Sequence, residues 1–177
     1  MRVSNQTRAI LRRVKALNIG GDLQDSRATL CLYSPKLNVA KVTASLRCAP
    51  TNALAKGQLR HPPHGCGPSP VGRWFLEAPR PLGFVEKLQY LLDATPKTVT
   101  TWRRLVKNHD VQLRCGIFLH SWNEGFELPA HMVAEIGARG WKLGLDIYSA
   151  EGHEILAAFL RKGRKARSRQ PRGPTVA

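Results

Sequence analysis

Apolar and polar residues alternate along two stretches in the second half of the chain. The first runs from Val111 to Leu119 and the second from Trp141 to Ile147, each with apolar side chains at every other position. A period of two is typical of sheet strands with two distinct faces. Both stretches are therefore predicted to be strands. Shorter apolar runs, at Arg27 to Tyr33 and at Trp74 to Leu76, predict two more.

In the segments between these strands, apolar residues recur every three to four positions, which is typical of helices. Asn38 is a plausible N-cap for a helix that carries Val39, Val42 and Leu46 inward and that Pro50 stops. The apolar positions of three further segments predict the other helices. The first runs from Phe84 to Ala94. The second begins at Thr95 and Pro96 and has Val99, Trp102, Leu105 and Val106 inward, and the third begins at Pro129, has Val133 and Ile136 inward and ends at Gly140.

The order of these elements predicts an α+β fold. An antiparallel or mixed sheet with helices packed mainly on one face accommodates it. We expect a single domain over residues 28–150, with a long exposed Pro/Gly-rich loop at 51–73. We expect residues 1–27 to be a basic N-terminal extension, and residues 151–177 to be a C-terminal helix and a disordered basic tail.

The net charge of +16 is concentrated at the two ends of the chain. Residues 161–177 contribute +7 and residues 1–27 contribute +4, which leaves +5 for the 133 residues between them. The cations of the tail, which would bind phosphate backbones without sequence readout, are Arg161, Lys162, Arg164, Lys165, Arg167, Arg169 and Arg172. The same composition also suits a solubilising tail or an acidic protein surface.

Cysteine usage and hydropathy indicate a cytoplasmic protein. The four cysteines have no paired spacing and two of them fall in strand-like segments, so buried thiols are expected rather than disulfides. No run of about 18 apolar residues is present, and we expect no membrane span.

With these elements placed, the chain resembles the bacterial domain-of-unknown-function family numbered 4279. The marks of the resemblance are spread over residues 28–148, at Leu46–Pro50, Lys56–Gly57, Trp74, Phe84–Leu92, Asn123–Pro129 and Leu143–Tyr148. The resemblance implies a small intracellular α+β domain with no assigned activity. Some relatives resemble immunity proteins, which neutralise the toxins of neighbouring cells.

Two clusters are candidates for chemistry. His61, His64 and Cys66 are ligand types that suit Zn²⁺, but an exposed Pro-rich loop with incidental histidines is the favoured interpretation. His120 lies where a strand leaves the sheet, close to Asp146 on its predicted neighbour, and such a pair could transfer a proton. Turn formation by Asn123 and Gly125 is the structural alternative.

The chain contains no phosphate-binding glycine loop, no nucleophile-elbow motif and no conspicuous carboxylate pair. We therefore expect a non-enzymatic protein-binding domain without a cofactor, and an inhibitor of a toxin is its most concrete form. The residues predicted to contact the partner are Trp74, Trp122, Asn123, Glu124 and Phe126. The alternative is a nucleic-acid-associated protein that binds phosphates through its basic ends.

Overall fold

The computed structural model describes residues 21–23, 25–60, 67–120 and 124–149 of the chain. The strands and helices of these residues follow the predicted order, with several short strands added. They are β1 (Gly21–Asp22), β2 (Asp25–Ser34), α1 (Val39–Leu46), β3 (Asn52–Leu54), β4 (Leu59–Arg60), β5 (Gly67–Pro68), β6 (Gly72–Glu77), α2 (Phe84–Asp93), α3 (Val99–Asn108), β7 (Asp110–Phe118), β8 (Glu124–Gly125), α4 (Ala130–Ala138) and β9 (Lys142–Tyr148).

Five of the strands form one mixed sheet in the order β3-β6-β2-β7-β9. All neighbours in it are antiparallel except β7 and β9, which are parallel because α4 carries the chain back between them. The other short strands pair separately, β1 with β8 and β4 with β5. The predicted α+β fold with a mixed sheet is confirmed.

The hydrophobic core lies between the sheet and a single layer of helices. Along β2 and β7 the alternate residues Leu30, Leu32, Val111 and Leu113 are buried, and opposite strands bring Leu30 next to Leu113 and Leu32 next to Val111. The helices complete the core with the buried side chains Val42 and Leu46 of α1, Phe84, Leu88, Leu91 and Leu92 of α2, Trp102 and Leu105 of α3, and Met132 and Ile136 of α4. The four described helices thus pack on one face of the sheet.

The start of α1 is the one that the sequence predicted. The side chain of Asn38 accepts a hydrogen bond from the backbone N–H of Lys41 at 3.0 Å, which satisfies a donor that the first turn leaves unpaired. The helix ends at Leu46, where Arg47 takes a left-handed conformation with φ of 54°, several residues before Pro50.

Replacing Asn38 with alanine is expected to lower the free energy of unfolding by about 1 kcal/mol, because that backbone donor then loses its partner. Urea unfolding monitored by tryptophan fluorescence measures the change. Asn38→Asp retains an acceptor oxygen and serves as the control, with a stability close to that of the wild type. Equal loss in both variants would mean that the cap does not stabilise α1.

The predicted start of α3 at Thr95 and Pro96 is wrong. Thr95 instead lies just after the end of α2, where its hydroxyl donates to the Leu91 carbonyl at 2.8 Å. The Pro96 carbonyl accepts a hydrogen bond from the Trp102 indole N–H at 2.6 Å. The connection is held in place by these contacts, and α3 begins only after its N-cap residue, Thr98.

Residues 51–73 are not the uniformly exposed loop that the sequence predicted. Asn52–Leu54 form the edge strand β3 beside β6, and Ser69 is buried. Thr51 anchors the segment, because its N–H donates to the Phe75 carbonyl at 2.8 Å and its hydroxyl oxygen accepts from the Glu77 N–H at 2.9 Å. Prolines and glycines flank these contacts without preventing them.

Two side chains predicted to face inward lie on the surface. Val133 of α4 is 52% exposed, and the buried positions of that helix are Met132 and Ile136. Val106 of α3 is 38% exposed. The predicted helix end after α4 is confirmed, since Gly140 has a φ of +69°, a conformation that favours glycine.

Candidate functional site

Trp74, predicted from the sequence to contact a partner, lies in the core. Its side chain is fully buried, and its indole N–H donates to the Thr43 hydroxyl oxygen at 3.1 Å. The prediction that it lies on a binding surface is wrong, because it sits on a sheet position that faces the helix layer.

The other predicted contact residues are only partly described. Phe126 is 36% exposed and packs edge-to-face on Phe84 with ring centroids 4.6 Å apart. Glu124 accepts a hydrogen bond from the His120 backbone N–H. Trp122 and Asn123 lie outside the described residues. So do the predicted metal ligands His61, His64 and Cys66 and all seven cations of the tail, Arg161 to Arg172.

The face of the sheet opposite the helices carries the most distinctive set of side chains in the described part of the chain. The alternation that buries one face puts a second set on this one, hereafter the open face: Asp25, Arg27 and Tyr33 of β2, Arg73, Phe75 and Glu77 of β6, Asp110, Arg114 and Phe118 of β7, and Lys142, Asp146 and Tyr148 of β9. Because side chains alternate exactly, the same pattern that predicted the core also contained this set.

Four aromatic rings form two pairs on the open face. Tyr33 and Phe75 meet edge-to-face at 5.4 Å between ring centroids. Phe118 and Tyr148 are stacked at 4.9 Å and 9° between ring planes, and the Arg27 guanidinium lies 5.9 Å from the centroid of Phe118. Edge-to-face and stacked arrangements are the favourable geometries of aromatic pairs, so the face presents two apolar contact points, each made of two packed rings.

Arg114 lies on β7, between β2 and β9 in the sheet, and interacts with Tyr33 of the first pair. A hydrogen bond with the Tyr33 hydroxyl is the main cause that raises the pKa of Arg114. Burial raises the pKa of Tyr33, and it raises that of the neighbouring thiol of Cys31 to about 11. At neutral pH, Arg114 is therefore a cation beside the protonated, neutral side chains of Tyr33 and Cys31, and the negative charge of Asp146 also raises its pKa.

Formal charges on the open face cancel. Its strand positions hold four cations, Arg27, Arg73, Arg114 and Lys142, and four carboxylates, Asp25, Glu77, Asp110 and Asp146. Lys142 pairs with Asp110 at 2.8 Å. A surface without net charge attracts phosphate backbones weakly, but its mixed signs suit a protein surface.

The carboxylate of Asp146 is used within its own strand. It accepts a hydrogen bond from the Tyr148 hydroxyl at 2.7 Å, and this interaction raises the pKa of Tyr148. Among the described contacts, His120 meets Glu124 through its backbone and does not meet Asp146. The geometry therefore does not assemble the His120–Asp146 proton-transfer pair considered from the sequence.

Three described cysteines are free thiols, and two of them are buried as the sequence predicted. Burial raises the pKa of Cys115 to about 12. Together with Cys31 it stays protonated at neutral pH, so neither thiol is an activated nucleophile.

A basic groove of about 570 Å³ lies between α1 and α3, on the helix side of the molecule. Lys36, Lys41 and Arg104 line it, and none of the described lining residues is acidic. The Nδ1 atom of His109, which also lines the groove, is buried without a hydrogen-bond partner among the described residues. The groove is thus an electropositive surface distinct from the balanced open face.

Comparison with known families identifies the domain that contains both surfaces. The model of the family described as Domain of unknown function (DUF4279) matches residues 24–150, which include the five-stranded sheet and all four described helices. The chain belongs to this family. No curated protein and no solved structure matches it. For this DUF4279 domain, the side chains themselves are therefore the guide to function.

None of the helices in the described part of the DUF4279 domain is both long and apolar enough to cross a bilayer.

Proposed function

We propose that this DUF4279 domain is a non-enzymatic protein-binding module that works in the bacterial cytoplasm through its open face. The observation that carries the proposal is the pair of aromatic contacts beside Arg114 on a sheet face that the described helices leave uncovered. Inhibition of a toxin by direct binding is the most concrete version of this function.

The composition of the open face supports a protein partner. Tyr, Phe and Arg are enriched in protein interfaces, and central residues of these types contribute most of the binding energy. Rings that are already paired lose little conformational freedom on binding, which lowers the entropic cost of association. The cancelling charges favour a partner with mixed charge over a polyanion.

Replacing Arg114 with glutamate is expected to weaken partner binding at least 30-fold, since loss of a central interface arginine costs about 2 kcal/mol or more. The partner is first captured from nuclease-treated lysate at moderate salt, and its affinity is then measured by calorimetry with purified proteins. Arg114 is exposed, so the variant should keep the wild-type melting temperature.

Arg103→Glu is the matched control, because Arg103 is an exposed arginine of α3 on the opposite side of the sheet. It makes the same change of charge and should bind like the wild type. Equal weakening by both variants would indicate a general charge effect and would overturn the open face as the binding site.

The basic groove favours a second candidate function, binding to the phosphate backbone of a nucleic acid. Its three cations have no ion-pair partner among the described residues and add to the seven of the tail. Each phosphate contact that is lost should lower the slope of log affinity against log salt by about one.

Replacement of all seven tail cations with glutamine is therefore expected to remove most of the binding to a double-stranded oligonucleotide and to flatten its salt dependence. A second variant, in which glutamine replaces Lys36, Lys41 and Arg104 together, tests separately whether the groove contributes to phosphate binding. Unchanged affinity in the tail variant would reject the tail as the phosphate-binding element.

A further inference from the structure

The core side of the edge strand β9 leaves three apolar side chains uncovered. Leu143, Leu145 and Ile147 are 42%, 43% and 56% exposed. Their register partners on β7, which are Leu113, Cys115 and Ile117, are each at most 1% exposed. These three residues, hereafter the β9 strip, thus extend the hydrophobic core sideways beyond the part that the described helices cover.

We propose that residues 153–161 of this chain cover the β9 strip as an amphipathic helix. The segment reads His-Glu-Ile-Leu-Ala-Ala-Phe-Leu-Arg, and its large apolar residues Ile155, Leu156, Phe159 and Leu160 fall on one face at helical spacing. An apolar helix face and an uncovered apolar strip of the same sheet have complementary surfaces.

Length and connection fit this arrangement. A helix of nine residues is about 13.5 Å long, and the four steps from Leu143 to Ile147 span about 13 Å. The strand ends at Tyr148, so residues 149–152 would link it to the helix, a usual length for such a connection. The helix would return antiparallel to β9, on the face that carries the other helices.

The covalent connection favours this segment over a second copy or another protein. A segment joined by four residues is present at the strip at an effective concentration in the millimolar range, whereas a separate molecule must associate from dilute solution. The return direction would also bring the cations from Arg161 onward toward Lys142, the end of the sheet where His109 borders the basic groove.

The experiment introduces Phe159→Asp into the full chain, with Ala158→Asp as the control. Both add one negative charge, but Ala158 lies off the apolar face of the predicted helix. Phe159→Asp should raise the fluorescence of the dye ANS at least threefold and speed amide hydrogen exchange in β9 about tenfold, while Ala158→Asp stays near the wild type. No difference between the two variants would overturn the proposal.

A cross-link tests the contact directly, even if Phe159→Asp destabilises the protein. Leu145→Cys combined with Phe159→Cys, with Cys48 and Cys66 replaced by serine, should form an intramolecular disulfide under mild oxidation. Leu59→Cys with Phe159→Cys is the control that should not. Absence of the first disulfide, or a concentration-dependent dimer that buries the β9 strip in the wild type, would reject the segment as the occupant.

Discussion

Replacing Trp74 with alanine is expected to lower the free energy of unfolding by about 3–5 kcal/mol, the usual cost of removing a large buried aromatic side chain. Trp74 is fully buried between β6 and the helix layer, and its N–H holds the Thr43 hydroxyl of α1. The variant therefore loses packing and leaves a cavity as well as an unpaired hydroxyl. Urea unfolding followed by far-UV circular dichroism measures the loss.

Smaller changes at the same contact separate packing from hydrogen bonding. Thr43→Val keeps the volume but leaves the Trp74 N–H without its partner, which should cost about 1–3 kcal/mol. If Trp74→Ala lowered the free energy of unfolding by less than 1 kcal/mol, Trp74 would not be a core residue. Its predicted place on the binding surface would then be supported.

Arg139→Met is expected to destabilise the domain by about 2–4 kcal/mol, because buried polar partners of the guanidinium are left unsatisfied. Arg139 is buried at the end of α4 and donates to the Leu92 carbonyl and the Thr95 hydroxyl, each at 2.9 Å. It also pairs with Glu135 and lies 5.1 Å from the ring centroid of Trp141. One side chain therefore joins the ends of α2 and α4.

The matched control for this prediction is Arg103→Met, which removes an exposed arginine and should change stability by less than 0.5 kcal/mol. Glu135→Gln should also have a small effect, since the Glu135 side chain is 39% exposed and water replaces part of the interaction. Similar unfolding curves for Arg139→Met and Arg103→Met would contradict the role of Arg139 as a buried connector.

Alternation in the sequence was enough to predict the central strands and the fold class. Strand residues point to opposite sides in turn, so the apolar positions of β2 and β7 could be read directly as one face of a sheet. The helix N-cap at Asn38 could also be predicted from neighbouring residues, because the acceptor and its donor are three residues apart.

The candidate site depended on information that is not local. Trp74 looked like an exposed aromatic residue in a short strand between prolines, yet β6 pairs with both β2 and β3, so Trp74 lies on an interior strand and is fully buried. The aromatic pair Phe118–Tyr148 joins residues thirty positions apart, and only the parallel register of β7 and β9 brings them together.

The sequence by itself determined the α+β class, the main strands and helices and the separation of charge between body and tail, since each depends on periodicity or composition along neighbouring residues. The tertiary structure decided which aromatic residues are buried, that segment 51–73 contributes an edge strand, and that aromatic rings and arginines meet on the open face. Those features arise from strand order and register, which join residues far apart in the chain, and local patterns leave that choice open.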